Sequence, residues 1–478
     1  MAPVEMELKS EKKKLKKKRF KMPTTASLLM LMILFSSILT YIVPAGEFER
    51  VFDEATKRTL VVAGTFTQVD QSPIGFWKIL SSIFEGIVHA SEIIAFVFVV
   101  GGVFGVVIKS GAINAALGKL IKKLSGRENI LIILVMSAFA AGGASFGMAE
   151  ETLPFVALLV ATCLALGYDR IVAVSLVCIG VYAGYSAGPI NPFNVGIAHG
   201  ISELPLFSGI GLRTVLMFGG LIIAIHHTLR YAKKVKDNPQ KSLVANIKYD
   251  KVREEFNVDY ELTRKHKVIL IVILLTLIGL VFGVLKYGWY LSEISALFML
   301  MGIVVGLIHF DADFNEFTEE FLKGAREMTT AALLIGFSRA ILVVLENGKI
   351  MDTIVYALSL PLQSLNSILA AWGMYFTQGI INFILPSSTG QAVVVMPIMA
   401  SLSDIIGVTR QVAVQAYQAG DGYWNMITPT HPVLMASLGI AGIPFSKWFK
   451  FAVPLVLKWT IWVMVILAIG VITNWGPF

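Results

Sequence analysis

Three acidic residues, Glu150, Glu151 and Asp421, lie in long stretches of sequence that are otherwise almost free of charge. A carboxylate in apolar surroundings is costly unless it is paired, so each is a candidate for binding a cationic group of a ligand or a coupling cation. Glu150 and Glu151 have a structural alternative, because the helix dipole stabilises a carboxylate at a helix start by about 0.3–1 kcal/mol. Arg339 is the one comparably placed base. Three acids against one base favour a cationic ligand over a dianionic one.

Uncharged polar side chains cluster near these acids. They are Ser145, Asn191, Asn194, Ser387, Ser388, Thr389, Asn425, Thr428, Thr430 and His431. Hydroxyls, amides and helix N-termini can donate hydrogen bonds to a substrate carboxylate, and the oxygens of such groups could coordinate Na⁺. His431 could relay a proton or donate a hydrogen bond. Any single serine or threonine could instead bond back to its own helix, so the cluster is informative and a single member is not.

The composition requires a membrane environment for most of the chain. Of 478 residues, 56% are hydrophobic and only 15% are charged, whereas soluble domains carry about 25% charged residues. The net charge of +8 is concentrated in residues 1–22, which hold nine Lys/Arg and three Glu. Because the basic charge belongs to a tail, we expect no nucleic-acid partner. Cys163 and Cys178 have neither a disulfide pattern nor a metal-ligand spacing.

The apolar segments predict an all-α polytopic membrane protein with about nine spans. The predicted spans are residues 24–44, 91–109, 171–200, 208–231, 268–286, 290–308, 330–346, 411–441 and 451–473. Two longer stretches, about 128–166 and 363–403, are interrupted by small and polar residues, so each is predicted to be a re-entrant helical hairpin. The positions of Lys and Arg place the N-terminus in the cytoplasm. Arg170 and Arg410 fall at segment ends, where snorkelling would satisfy them.

Two parts of the chain carry the same motifs in the same order. SFGMAEETLP (145–154) is similar to STGQAVVVMP (388–397), GYDRIVAV (167–174) to GVTRQVAV (407–414), and GPINP (188–192) to TPTHP (428–432). The predicted division is a cytoplasmic basic tail 1–22, a first span and external loop 23–74, repeat 1 at 75–231, a cytoplasmic loop 232–267, linking spans 268–311 and repeat 2 at 312–473. The predicted orientations of the repeats are opposite, which is typical of secondary transporters.

Each repeat also predicts a broken helix. Pro189 and Pro192 interrupt one apolar segment, and Pro429 and Pro432 interrupt its counterpart. Proline removes a backbone donor and clashes with the preceding turn, so these helices must break or kink. A break frees backbone groups that lipid cannot satisfy, which is tolerated where they line a polar cavity.

Enzyme motifs are absent or out of context in the sequence. GYSAG (184–188) fits the G-x-S-x-G pattern of hydrolases, but it lies within a predicted membrane helix rather than at a strand–turn–helix junction. The sequence has neither a phosphate-binding loop of the G-x-x-x-x-G-K-[ST] type nor an H-E-x-x-H zinc motif. We therefore expect no enzyme activity and no cofactor, and transport energy would come from ion or substrate gradients.

Four stretches resemble the YfcC-like branch of the anaerobic dicarboxylate carrier family, within the ion transporter superfamily. They are GGASFGMAEETLPF, GYSAGPINPFNVGIAHG, LPSSTGQAVVVMPIMA and QAGDGYWNMITPTHPVLMA. The resemblance implies a secondary carrier of the bacterial inner membrane, often a homodimer, that works by elevator-like movement. The family name implies dicarboxylate substrates, whereas members similar to this branch are associated with arginine/ornithine exchange.

The sequence therefore supports two functional hypotheses. The first is a cationic amino acid antiporter of the arginine/ornithine type, in which Glu150, Glu151 or Asp421 binds the side-chain cation and hydroxyls bind the α-carboxylate. The second is a Na⁺- or H⁺-coupled symporter of C4-dicarboxylates or other small organic anions, in which the same acids bind the coupling ion. In both, the expected partners are a small-molecule substrate and membrane lipid.

Overall fold

The structure is a computed structural model, and it describes residues 24–53, 58–113, 115–116, 119, 128–247, 262–287, 289 and 291–476. The predicted basic tail 1–22 and part of the predicted cytoplasmic loop 232–267 lie outside these ranges. The described chain is almost entirely helical. This agrees with the all-α class that the apolar segments predict.

The first elements are a helix, four short strands that form two two-stranded sheets, and two further helices. They are α1 (Thr25–Ile42), β1 (Gly46–Glu47), β2 (Arg50–Asp53), β3 (Arg58–Val61), β4 (Thr67–Gln68), α2 (Phe76–His89) and α3 (Ser91–Lys109). Strand β1 pairs with β4 and β2 pairs with β3, both antiparallel. Asp352 anchors this segment to the helical body, since its carboxylate accepts hydrogen bonds from the Phe48 backbone nitrogen at 3.0 Å and from the Arg50 side chain at 2.9 Å.

The next elements contain the first predicted hairpin and the first broken helix. They are α4 (Glu128–Phe146), a 3₁₀ turn (Glu150–Thr152), α5 (Leu153–Ala165), α6 (Arg170–Val174), a π turn (Ser175–Ile179), α7 (Gly180–Tyr185), a second π turn (Pro192–Gly196), α8 (Ile197–Ile201), α9 (Ile210–Asp237) and a 3₁₀ turn (Pro239–Lys241). The two prolines of GPINP fall between α7 and α8, where regular α-helix is interrupted.

The remaining elements contain the second predicted hairpin and the second broken helix. They are α10 (Arg264–Tyr287), α11 (Leu291–His309), α12 (Phe314–Glu327), α13 (Thr329–Asn347), α14 (Met351–Ser359), a 3₁₀ turn (Leu360–Ser364), α15 (Ser367–Ile384), α16 (Ser388–Ile405), α17 (Arg410–Trp424), α18 (Pro432–Ile440) and α19 (Phe445–Ile472). Helix α17 ends at Trp424 and α18 begins at Pro432, so the TPTHP motif occupies the break.

The matching motifs adopt matching local structures. Gly167 and Gly407 both have a positive φ, of 79° and 66°, directly after the helices α5 and α16. Two residues later, Asp169 and Thr409 cap the following helices, accepting hydrogen bonds from Val172 N and Val412 N. A side-chain acceptor at this position satisfies a backbone donor that the first helical turn leaves free. The same glycine and capping position therefore start the broken helix in each predicted repeat.

Six described helices are long and apolar enough to cross a membrane. They lie at Ser91–Lys109, Glu128–Ser145, Ile210–Asp237, Leu291–His309, Thr329–Asn347 and Phe445–Ile472, and shorter apolar helices occur at Ala26–Ile42 and Arg170–Tyr185. The chain is therefore a multi-pass membrane protein. The count of nine spans and the division into repeats stay predictions, because helix length and composition do not fix which segments cross.

The structure contradicts the prediction that Arg170 snorkels to the membrane surface. Its side chain is 3% exposed and donates to the carbonyl oxygens of Ala441 and Gly442, both at 2.9 Å, and of Ile247 at 3.0 Å. Ala441 and Gly442 follow the last residue of α18, where carbonyl groups have no partner within the helix. Arg170 therefore caps a helix of the other predicted repeat.

Candidate substrate-binding site

A cavity of about 510 Å³ lies where the first predicted hairpin tip, between α4 and α5, and the second tip, from the end of α15 to the start of α16, approach the second broken helix. Its lining residues are His89, Ala90, Glu92, Ile93, Gly147, Ala149, Glu150, Glu151, Tyr182, Tyr185, Trp289, Leu291, Ile335, Arg339, Pro386, Ser387, Ser388, Thr389, Asn425, His431 and Pro432. The volume is within the range of small-molecule sites, about 300–1,000 Å³. Residues from widely separated parts of the chain therefore form one polar chamber.

The first tip places two carboxylates on the cavity wall. Helix α4 ends at Phe146, and Gly147 turns the chain with a φ of +69°, where a Cβ would come within 2.6 Å of the Asn191 side chain. Glu150 and Glu151 then form the start of the 3₁₀ turn. Glu151 is 7% exposed and its Oε2 accepts a hydrogen bond from Ala149 N at 2.9 Å.

Within the described ranges, neither Glu150 nor Glu151 forms an ion pair with a Lys, Arg or His side chain. Buried carboxylates without a cationic partner are expensive to keep ionised. Because both residues line the cavity, a bound cation would have access to them.

The second tip connects the cavity to Asp421. Ser388 Oγ donates a hydrogen bond to Asp421 Oδ2, and Tyr185 OH is within hydrogen-bond distance of the same Ser388 oxygen. Since the Ser388 proton is directed to the carboxylate, Tyr185 is the donor to Ser388. The Tyr417 hydroxyl also donates to the Ser388 carbonyl at 2.6 Å. Tyr185, from the first half of the chain, thus joins Ser388 and Asp421 from the second half.

Asp421 itself is fully buried and does not line the cavity. Its Oδ1 has no hydrogen-bond partner in the described part of the chain. Asn382 stands beside it, donating to the Asp421 carbonyl at 3.0 Å and to Asn425 Oδ1 at 2.9 Å. Asp421 is therefore connected to the cavity by its hydrogen bond with Ser388, and its own side chain does not line the cavity.

His431 starts the second half of the second broken helix and faces the cavity. Its Nδ1 accepts a hydrogen bond from Leu434 N at 3.2 Å, which caps α18. A neutral imidazole with an accepting Nδ1 carries its proton on Nε2, and Nε2 lies 2.8 Å from Tyr182 OH. His431 therefore donates to Tyr182 and holds that phenol at the cavity wall.

Close helix packing brings Tyr182 and Tyr185 to the cavity. A Cβ on Gly184 would lie 1.9 Å from the Ala140 carbonyl oxygen, and one on Gly143 would lie 2.3 Å from the Val181 carbonyl oxygen. Such distances are far below van der Waals contact, so only glycine fits at either position. Helices α4 and α7 thus pack backbone to backbone beside the first tip.

Further lining residues of the cavity come from α13 and from the junction of α2 with α3. Ile335 and Arg339 lie four residues apart on one face of α13. A Cβ on Gly86 would come within 2.5 Å of Ala340 N, so α2 and α13 also pack backbone to backbone. This contact places His89 and Glu92 on the same wall as Arg339.

Comparison with known proteins identifies the family. The family model described as "C4-dicarboxylate anaerobic carrier" (DcuC) matches residues 22–472. The chain belongs to the DcuC family. Members of this family are membrane transporters, and this DcuC-family chain is one too.

Two curated relatives match this DcuC-family chain over most of their length. One, from Escherichia coli (strain K12), bears the name "Putative basic amino acid antiporter YfcC" and is 33% identical over 476 residues, covering 91% of this chain and 93% of the relative. The other, an "Uncharacterized protein" of Haemophilus influenzae Rd, is 30% identical over 491 residues, covering 92% of this chain and 95% of the relative. The identification as a YfcC-like member of the DcuC family, predicted from the motifs, is confirmed.

Two solved transporter structures match this chain along most of its length but with low sequence identity and low TM-scores. The Alcanivorax borkumensis YdaH transporter is 15% identical with a TM-score of 0.42, covering 95% of this chain and all of that one. Neisseria gonorrhoeae MtrF is 17% identical with a TM-score of 0.42, covering 94% and 95% of the two chains.

The structure brings many of the sequence-predicted site residues of this DcuC-family chain together. Those that line the cavity are Glu150, Glu151, Ser387, Ser388, Thr389, Asn425 and His431, and Asp421 lies one hydrogen bond behind Ser388. Ser145, Asn191, Asn194, Thr428 and Thr430 are not among the lining residues. The hydroxyl groups of Ser145, Thr428 and Thr430 donate to backbone carbonyls instead.

Several lining residues of the DcuC-family chain were not singled out from the sequence. Tyr182 and Tyr185 resemble ordinary core aromatic residues, although their spacing of three just before GPINP places them on one helix face. Glu92 and His89 lie at a helix junction where charged residues are common. Trp289 falls in a short loop between two helices. Only the tertiary structure shows that these residues share a cavity.

Proposed function

We propose that this transporter is a cationic amino acid antiporter of the arginine/ornithine type. The observation that carries the proposal is the cavity wall on which Glu150 and Glu151 lie side by side, with no cationic partner within the described ranges. Glu92 adds a third carboxylate to the lining. A guanidinium or ammonium side chain would supply the charge that these carboxylates lack. The name of the E. coli relative also supports a basic amino acid.

In this proposal the side-chain cation of the substrate lies between Glu150 and Glu151. The α-carboxylate of the substrate lies toward the second tip, where Ser387, Ser388 and Thr389 begin helix α16. Backbone donors at a helix start and nearby hydroxyls favour an anion there. The site therefore offers complementary groups for both ends of a basic amino acid.

Exchange follows from the free-energy cost of moving the site across the membrane without a bound substrate. Moving two unpaired carboxylates through a low-dielectric region is unfavourable, and a bound cation offsets much of that cost. If only the loaded site can cross, outward movement of one substrate must precede inward movement of the next.

We further propose that the two predicted hairpins re-enter the membrane and move as an elevator within a homodimer. The N-terminal tail would lie on the cytoplasmic side of the bacterial inner membrane.

The second candidate is a Na⁺- or H⁺-coupled symporter of C4-dicarboxylates or other small organic anions. The description of the family as C4-dicarboxylate carriers favours it. So does Asp421 Oδ1, a buried carboxylate oxygen with no partner among the described residues, because a coupling cation would satisfy it. In this alternative the acids bind the coupling ion, and Arg339 with the hydroxyls binds the anion.

The test is uptake of labelled arginine into proteoliposomes. Rapid uptake into vesicles preloaded with ornithine, and little into unloaded vesicles, is expected for the antiporter. Glu151→Gln should abolish this uptake, whereas Glu319→Gln, which makes the same change at an exposed position of α12, should not. Absence of arginine flux in the unaltered protein, together with Na⁺-dependent succinate uptake, would reject the antiporter in favour of the symporter.

A further inference from the structure

Arg339 is a guanidinium on the cavity wall, and its acidic neighbour on the same helix, Glu346, lies beyond ion-pair distance. It lines the cavity from the middle of α13. Its Nε is buried and has no hydrogen-bond partner among the described residues, and no described Asp or Glu oxygen lies within salt-bridge distance of its nitrogens. An arginine is rarely placed in a protein interior without an anion or several acceptors around it. The missing partner is therefore expected to come from a bound molecule.

The cavity lining carries charges of both signs. Arg339 lines the cavity from α13, and Glu150 and Glu151 line it from the first tip. The three side chains share one chamber of about 510 Å³, yet none of them pairs with another. Were this arrangement only structural, direct ion pairs across the chamber would be expected. Separated opposite charges instead suit a ligand that carries both signs at its two ends.

We propose that Arg339 binds the α-carboxylate of the substrate and thereby selects amino acids over simple amines and guanidines. The proposal rests on the antiporter function above and adds the determinant of the substrate headgroup. A guanidinium can hold a carboxylate through two parallel hydrogen bonds, which fixes its orientation as well as its charge. The Ser387 hydroxyl at the start of α16 then contributes a further donor to the same carboxylate, since the Ser388 proton is already directed to Asp421.

The packing of α13 keeps Arg339 in place. Gly86 lets α2 contact α13 next to Ala340, and Gly439 of α18 lies against Leu334 of the same helix. Helix α13 is thus held on both sides close to Arg339. A side chain on a helix fixed in this way provides a stationary anchor for the substrate carboxylate.

The test compares arginine with L-argininamide, which keeps the α-ammonium and guanidinium groups but replaces the carboxylate with a neutral amide. Half-maximal inhibition of labelled arginine binding is measured for both ligands on purified protein in detergent. In the unaltered protein, arginine should bind about tenfold or more tightly than argininamide. Arg339→Gln should weaken arginine binding by a similar factor and leave argininamide binding within about twofold. For this variant, labelled argininamide serves as the tracer.

The control variant is Arg326→Gln, which removes an exposed arginine at the end of α12 and should change neither ligand. Equal losses for both ligands in Arg339→Gln, or no loss for either, would overturn the proposal. If Arg339→Gln does not give monodisperse protein, Arg339→Lys carries the same comparison, with a smaller loss confined to arginine. Failure of the unaltered protein to bind or exchange arginine at all would instead reject the antiporter function itself.

Discussion

Ser388 is expected to stabilise the protein mainly through the hydrogen bond that it donates to Asp421. In Ser388→Ala the fully buried Asp421 carboxylate loses the donor on Oδ2, and Oδ1 already has no partner in the described chain. A hydrogen bond to a charged group contributes about 1.5–3 kcal/mol, and the lost partner of Tyr185 adds about 1 kcal/mol. We therefore expect the free energy of unfolding to fall by about 2.5–4 kcal/mol.

This loss can be measured as a melting temperature of detergent-solubilised protein. The shift per kcal/mol falls with chain length, from about 2–4 °C at 150–250 residues, so about 1–2 °C per kcal/mol is expected here. Ser388→Ala should then melt roughly 2.5–8 °C lower. The neighbouring Ser387→Ala removes only the cap on Gly390 N and should cost about 1 kcal/mol.

The double variant decides whether Asp421 is the cause. In Asp421→Asn the buried charge is gone, so removal of the Ser388 hydroxyl should matter less in that background. We expect the combined loss to be smaller than the sum of the single losses by about 1–2 kcal/mol. Strict additivity would refute the reasoning, because it would mean that Ser388 and Asp421 stabilise the protein independently.

Three further predictions concern packing, capping and anchoring. Gly184→Ala should cost about 1–3 kcal/mol or more and reduce transport, because its Cβ would meet the Ala140 carbonyl; Gly211→Ala, whose Cβ meets nothing within 4 Å, should melt normally. His431→Asn should keep the cap on α18 and lose the hydrogen bond to Tyr182, whereas His431→Leu should lose both and melt about 1–2 °C lower than His431→Asn, and equal melting of the two would contradict the capping role. Asp352→Asn should release the β1–β4 segment from α14, which limited proteolysis within residues 46–68 would detect as faster cleavage; unchanged cleavage would show that the carboxylate is not the anchor.

Some features of the site could be predicted because a charge in an apolar stretch or a proline in a helix costs free energy. Glu150 and Glu151 stood out as charges in an apolar stretch, and their sequence position next to small residues indicated a turn. The broken helices were predictable from paired prolines, whose effect on a helix is local. In each case the signal lies within about ten residues of sequence.

Other features depend on contacts between distant residues. Tyr185 and Ser388 are 203 positions apart, and neither residue type by itself predicts the hydrogen bond between them. Arg170 appeared to lie at a segment end, and only the fold shows that α18 ends against it. Asp421 was grouped with the two glutamates from its charge, but the structure separates it from the cavity by one serine. A single sequence carries no information on such pairings.

The link from Tyr185 to Ser388 also constrains how the protein can be made. A ribosome that adds about 5–20 residues per second needs roughly 10–40 s to synthesise the 203 positions between them. During that interval Arg170 lacks the carbonyl groups of Ala441 and Gly442, and Tyr182 lacks His431. Until α13 is made, Glu150 and Glu151 also lack Arg339 in the lining of their cavity. In the nascent first half these groups therefore need to be shielded by the membrane-insertion machinery or by lipid. A chain truncated before Ser388 should be recognised by membrane quality control and degraded.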